Sequence, residues 1–329
     1  MTDPGMRASS PPALSVVLAT TSEPPARRSL AAYAAQTAAA RVEVVLVAPA
    51  SELERFDAGA TPRLHGLRRV AAPEPFTVAS ARAAGALAAA APWVFVGETH
   101  SFADPPMCGE LLAAIGAAGA EPPEVWVTSI YNVNPTTAVS WASFLIDYGA
   151  WAPGQPDAET TRPPIYNALF ARTLLGQLGE RLPAAFSPYD ESVFPHSAAD
   201  GRAARRVPRA TIGHLNIDRI GIFCRSKTWA GMAVGAQRAR RWGWSRRVVY
   251  AGAAPLIAAV LFARTLRSYG TSRRRGDAPA ATVPLLALGA AVRAWGEALG
   301  YLGWAPHDLD SRIEHLEIHK REYVVDWND

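Results

Sequence analysis

Glu98, Thr99 and His100 follow the run Trp93-Val94-Phe95-Val96 and the breaker Gly97. The run is short, aromatic and β-branched, and it reads as a buried strand. Side chains alternate along an extended chain, so Glu98 and His100 should point the same way. A carboxylate and an imidazole so placed are candidate ligands for a divalent cation. Taken alone, an E-x-H stretch reads better as a solvated turn after a strand, and the metal reading gains weight only from what surrounds it. Asp104-Pro105-Pro106 closes the loop. A second chemically interesting pair is Asp190-Glu191. One of these acids could serve as a base toward a hydroxyl nucleophile. The alternative is a helix start, with Asp190 as N-cap and Glu191 as first-turn acid.

Elements must hold these residues in place. Leu14-Ser15-Val16-Val17-Leu18-Ala19 predicts a strand, and Thr20–Pro25 a loop after it. A helix is expected over residues 27–39 and a strand over Val42–Val47, ended by Ala48-Pro49-Ala50-Ser51. A weaker strand follows near Leu67–Val70, then an Ala-rich helix over Thr77–Ala90 that leads into Trp93–Val96. Strands and helices alternating in this order predict an α/β fold, a mostly parallel sheet with helices on both faces. Ligands of such sheets bind beyond the carboxyl ends of the strands. Thr20–Pro25, Ala48–Ser51 and Gly97–Pro106 are the loops in that position.

In this order the first half resembles the nucleotide-sugar-binding half of a family 2 glycosyltransferase of the GT-A fold. Ala81-Arg82-Ala83-Ala84-Gly85 is similar to that family's ARNxG stretch, and Glu98-Thr99-His100 to an E-D-H version of its D-x-D metal motif. Asp104-Pro105-Pro106 resembles the P-x-P that follows. Ile165–Phe170, with Asn167, resembles a later hN-x-x-Y-R segment, and Arg205–His214 the strand that closes the domain. Gly296-Glu297-Ala298-Leu299-Gly300-Tyr301-Leu302-Gly303 is similar to the ending of membrane-associated members. The resemblance spans roughly residues 13–305. It implies inverting transfer of a sugar from a nucleoside-diphosphate sugar to an acceptor hydroxyl, on a lipid-linked or cell-envelope glycan. It also implies a divalent cation, Mn²⁺ or Mg²⁺, on Glu98 and His100, with His214 as a third ligand; a core histidine is the alternative for His214. The implied donor contacts are Thr20, Ser22, Glu23, Arg82 and Glu98, and the implied base is Glu191, next to Asp190.

This chain departs from the family pattern at three places. Ala48-Pro49 stands where an acid usually contacts the base, Ala83 replaces the Asn of ARNxG, and the metal motif has one carboxylate fewer. Two other functions therefore stay open. One is a nucleotide-sugar-binding protein that kept the fold and lost the chemistry. The other is a nucleotidyltransferase, which normally needs an early Gly-rich, Lys-bearing loop; Thr20–Pro25 contains neither residue.

Trp141, Phe144, Leu145, Tyr148 and Trp151 recur at helical spacing, as core packing or as a sugar-stacking face. Phe223–Trp244 is basic and aromatic and reads as an interfacial helix. The apolar runs Val248–Ala263 and Ala278–Val292 follow, separated by arginines, and each is short of the roughly 20 residues a span needs. The expectation is a shallow hairpin or interfacial helices on the cytoplasmic face of a membrane. Asp310–Val325 is a charged segment with Glu314, His315, Glu317, His319, Lys320, Arg321 and Glu322, and its His and Glu side chains are expected to form a solvated face and not a metal site. The expected divisions are a disordered 1–12, a catalytic domain at 13–219, a helical membrane-associated region at 220–305 and a charged end at 306–329.

Nearly half of the 329 residues are hydrophobic, enough for a sizeable core. Of 33 basic residues only Lys227 and Lys320 are lysine. That imbalance does not argue for nucleic acid, and none is expected as a partner. The basic residues cluster after about residue 200, which points to an anionic partner there. Two cysteines make neither a disulfide framework nor a zinc pattern. The start, MTDPGMRASSPP, lacks the apolar core of a secretory signal.

Overall fold

The computed structural model describes residues 10–56, 61–155, 163–187, 204–274 and 276–325. An eight-stranded mixed sheet runs through it: β1 (Leu14–Ala19), β2 (Val42–Ala48), β3 (Gly66–Ala71), β4 (Trp93–Val96), β5 (Ser101–Ala103), β6 (Val125–Asn132), β7 (Ala168–Ala171) and β8 (Arg205–His214). The order across the sheet is β3-β2-β1-β4-β7-β6-β8-β5. β1, β2, β3 and β4 run parallel, as do β6 and β8, while β7 and β5 are antiparallel to their neighbours. The fold class is the expected one.

β1 and β2 are buried along their whole length. Val16 and Leu18 pack into one core layer and Val17 and Ala19 into the other, as the two-residue period of a strand requires. Helix α1 (Glu23–Ala34) lies in the first layer, α2 (Val78–Ala88) in the second, and α3 (Met107–Ala117) packs against β8. α1 begins four residues earlier than the sequence suggests. Pro24 and Pro25 fall in its first turn, where a missing N–H costs nothing. α2 starts at a capping box in which Thr77 and Ser80 satisfy each other's backbone N–H groups.

Beyond the first half come α4 (Ala138–Asp147), α5 (Arg172–Leu178) and α6 (Leu182–Ala185). α7 (Ile220–Ala239), α8 (Trp244–Gly252), α9 (Ala254–Arg274), α10 (Thr282–Tyr301) and α11 (Leu309–Ile318) complete the chain. Trp141, Phe144 and Leu145 are core residues of α4. α7 buries Phe223, Lys227, Gly231 and Gly235 and packs lengthwise on α10. No single described helix is long and apolar enough to cross a membrane; α8 and α9 meet that measure only together, with a 61° bend between them.

Candidate active site

Glu98 and His100, on one loop, and the distant His214 are brought to one edge of the sheet. β4 ends at Val96, and the Gly97 amide donates to Val17 O at 3.0 Å. A Cβ on Gly97 would lie 3.0 Å from both Leu18 and the Tyr33 hydroxyl, so only glycine fits there without displacement. The chain then turns, with Ser101 N donating to Glu98 O at 3.1 Å. Glu98 and His100 therefore converge through a turn, and not through strand alternation. Ser29 of α1 pins this turn by donating to Thr99 O at 2.8 Å. The antiparallel pairing of β5 with β8 sets Ser101 opposite His214, which brings His100 against His214.

The ligand-type atoms of Glu98, His100 and His214 all lie within 4.8 Å of one another, and all three residues are buried. The two Nε2 atoms are 3.1 Å apart. Asn216 fixes the tautomer of His214. Its side-chain NH₂ donates to Asn132 Oδ1 (2.9 Å) and His214 O (2.7 Å), which turns its Oδ1 toward His214 Nδ1 at 2.9 Å. His214 Nδ1 is then the donor and Nε2 carries a lone pair. His100 Nδ1 has no hydrogen-bond partner, and its Nε2 accepts from the Lys320 ammonium at 2.7 Å. Both imidazoles thus aim lone pairs at one point. Burial, followed by the nearby Lys320 charge, holds both well below the ordinary imidazole range, so both are neutral.

Glu98 is held from four sides. Asn167 Nδ2 donates to it at 2.6 Å, Ser101 Oγ at 3.0 Å and the Tyr148 hydroxyl at 3.1 Å, while an Arg82 nitrogen lies 3.9 Å away. Asn167 reaches it from a left-handed backbone (φ 54°), a conformation that asparagine tolerates better than most residues. Burial, with the Glu317 carboxylate alongside, pushes Glu98 up to about 8. Glu98, once it gives up its proton, and two neutral imidazoles suit a divalent ion. Cis ligands of an octahedral ion at about 2.1 Å sit about 3 Å apart, which the two Nε2 atoms match.

A cavity of about 990 Å³ opens beside the cluster, lined by Arg82, Tyr148, Tyr166, His214 and Asn216 among others. The Arg82 guanidinium stacks on Tyr166 at 3.7 Å and is 3% exposed, and its Nε and Nη1 have no hydrogen-bond partner. A buried, under-satisfied guanidinium at a cavity wall is suited to an anionic oxygen.

Not every expected site residue meets here. Thr20 is buried and donates to Ser22 O at 2.7 Å. Ser22 is the N-cap of α1, and Glu23 is engaged by Arg27 at 2.8 Å, which holds its carboxyl low. None of the three is among the residues lining the cavity. Asp190 and Glu191 lie outside the described residues.

The C-terminal end departs furthest from the sequence reading. Glu317 and Lys320 are not part of a solvated face. Lys320 is 7% exposed, its ammonium 2.7 Å from His100 Nε2, 3.5 Å from His214 Nε2 and 3.2 Å from Glu317. Glu317 lies 3.5 Å from His100. Both lysines of the chain are buried, Lys227 pairing with Asp147. Lysine at these two places in an Arg-rich chain was the available signal, since a compact ammonium fits where a guanidinium fork does not.

No protein-family model matches the chain, and no curated protein matches it. Among solved structures, S. aureus TarS 1-349 in complex with UDP is 14% identical, with a TM-score of 0.43 over 88% of this chain and 91% of that one. The mannosyltransferase PcManGT from Pyrobaculum calidifontis, in complex with GDP-Man and Mn²⁺, is 19% identical, with a TM-score of 0.49 over 93% and 90%. At these values neither neighbour speaks to the chemistry of this chain.

Proposed function

We propose that this chain is an inverting glycosyltransferase that moves a sugar from a nucleoside-diphosphate donor to an acceptor hydroxyl. One juxtaposition carries the reading: the Glu98–His100–His214 cluster lies at the carboxyl edge of the sheet, beside a cavity whose wall holds Arg82. The order of motifs along the chain points the same way. Glu98 and the two Nε2 atoms would hold a divalent cation, which supplies charge neutralisation for a departing diphosphate. Two imidazole ligands favour Mn²⁺ over Mg²⁺. Asn167, Ser101 and Tyr148 keep the Glu98 carboxyl in place, and Arg82 offers its free N–H groups to a phosphate oxygen. Glu191 is assigned as the base that takes the acceptor proton, from its position in the sequence alone. A second reading, donor binding without chemistry, is favoured by Ala48-Pro49 and by the lysine lying against the cluster.

Calorimetry with UDP-, GDP- and dTDP-sugars in Mn²⁺ tests both readings. At least one donor is expected to bind, and silence from all of them sinks the donor site. With that donor, Glu191→Gln should keep binding and slow transfer by roughly 10²–10⁴-fold, with Asp190→Asn costing less. Equal, small effects return the pair to a capping role, and binding without any turnover favours the second reading.

A further inference from the structure

The two Nε2 lone pairs that would bind a metal lie 2.7 and 3.5 Å from the Lys320 ammonium, which also pairs with Glu317 at 3.2 Å. Two unprotonated nitrogens 3.1 Å apart repel unless a proton or cation stands against both. Here the cation is a side chain of the protein itself. A divalent ion on the same lone pairs and the ammonium at its present place would be two cations in contact in a buried site, where charge repulsion is poorly screened.

The segment that carries Lys320 is docked by further contacts around the strand ends. Glu314 of α11 accepts from the Val78 amide at 3.1 Å, so it places a carboxylate on a free N–H at the start of α2. Arg321 donates to Pro24 O at 3.3 Å, and the Val325 amide donates to Asp218 at 3.1 Å. The segment therefore sets an anion on an anion-binding helix start and a cation on a cation-binding cluster. Those are the two charges a metal–diphosphate complex would bring. The segment also buries Leu316 and Val324 against the core, so its release exposes them and the open form is the minor one until a cation favours it.

We propose that the C-terminal segment, residues 309–325, is an intramolecular competitor for the cation site: Lys320 and a divalent cation exclude each other, and cation binding releases the segment. The inference rests on the cation site of the proposed function, not on its sugar chemistry. It gives Lys320 a role that a purely structural lysine would not have. Removing its charge should improve metal binding, although it deletes a buried contact.

The test is Mn²⁺ alone, titrated by calorimetry into the full chain and into Lys320→Met. The apparent affinity for an ion that binds only the open form scales with the open fraction. Lys320→Met should therefore bind Mn²⁺ roughly tenfold or more tightly than the parent chain. Glu98→Gln should weaken binding in both backgrounds. An independent readout needs no lysine variant: Mn²⁺ added to the parent chain should speed tryptic cleavage after Arg312 and Arg321. The proposal is overturned if Lys320→Met binds Mn²⁺ no better than the parent, if neither chain binds it, or if Mn²⁺ leaves the segment as protected as before. Mn²⁺ competition with no response to any nucleotide sugar leaves this proposal standing and removes the proposed function.

Discussion

Glu98 is the residue at which site chemistry and folding energetics meet. Burial and Glu317 push its carboxyl up to about 8, from an ordinary value of 4.5. Between those values the folded chain holds a proton that the unfolded chain has released. Stability should therefore fall as pH rises through that window. His100 and His214 act in the opposite sense: with their folded values depressed below 6.5, the unfolded chain binds protons the folded chain refuses. Their contribution rises with pH up to 6.5 and is lost on acidification. With two histidines against one carboxyl, this site should place the Tm maximum of the chelator-treated protein near pH 6.5, with a decline toward pH 8. Glu98→Gln has no proton to lose, so it should keep the acid limb and flatten the decline. Parallel Tm–pH curves for the parent and this variant above pH 6.5 would remove Glu98 from the account.

α7 and α10 are the pair of elements whose contact depends most on residue size. A Cβ on Gly231 would lie 2.0 Å from Arg293 O, and one on Gly296 2.1 Å from Thr228 O. Gly235 and Gly300 meet the facing backbone in the same way, at 2.3 Å each. Each helix thus presents two glycines four residues apart, and the backbones approach more closely than side chains would permit. Backbone atoms cannot step aside as a flexible side chain can. Gly296→Ala should cost about 1–3 kcal/mol through overpacking, measured as a shift in the urea midpoint. Gly243→Ala, where nothing lies within 4 Å, is the control and should change little. Equal behaviour of the two variants would mean that α7 and α10 do not pack this way. The same pair positions Lys227 against Asp147 of α4, so its integrity bears on the cavity wall.

At the scale of the whole molecule, exposed apolar bulk among the described residues is concentrated after residue 240. Trp244, Val249, Leu256, Trp295 and Trp304 are each about 60% exposed or more, and α8 buries none of its residues. Arg246, Arg264 and Arg267 are exposed on the same stretch. Tryptophan and arginine among apolar side chains are suited to a headgroup layer with anionic lipid. The proposal is a protein held on the cytoplasmic face of a membrane, with a lipid-linked acceptor arriving laterally. The full chain should pellet with membranes and be only partly released by high salt. Leu256→Glu combined with Val260→Glu should shift it to the supernatant. A parent chain that stays soluble and monodisperse without detergent rules the membrane role out.

The sequence alone determined the strands and most helices of the first half, because a buried parallel strand reads as a continuous apolar run, as Val44–Ala48 does. It also singled out Glu98 and His100, because two ligand types one residue apart after such a run fell in a family-like order of motifs; alone they read as a solvated turn. His214 was reachable only through family resemblance; the β5–β8 register is what joins it to His100 across 114 residues. Lys320 was misread. A charged helical face looks the same whether it meets water or another set of charges, and periodicity describes one element without naming what lies opposite it. Only the tertiary structure, by laying the C-terminal segment over the strand ends, decided that this face meets the Glu98–His100–His214 cluster.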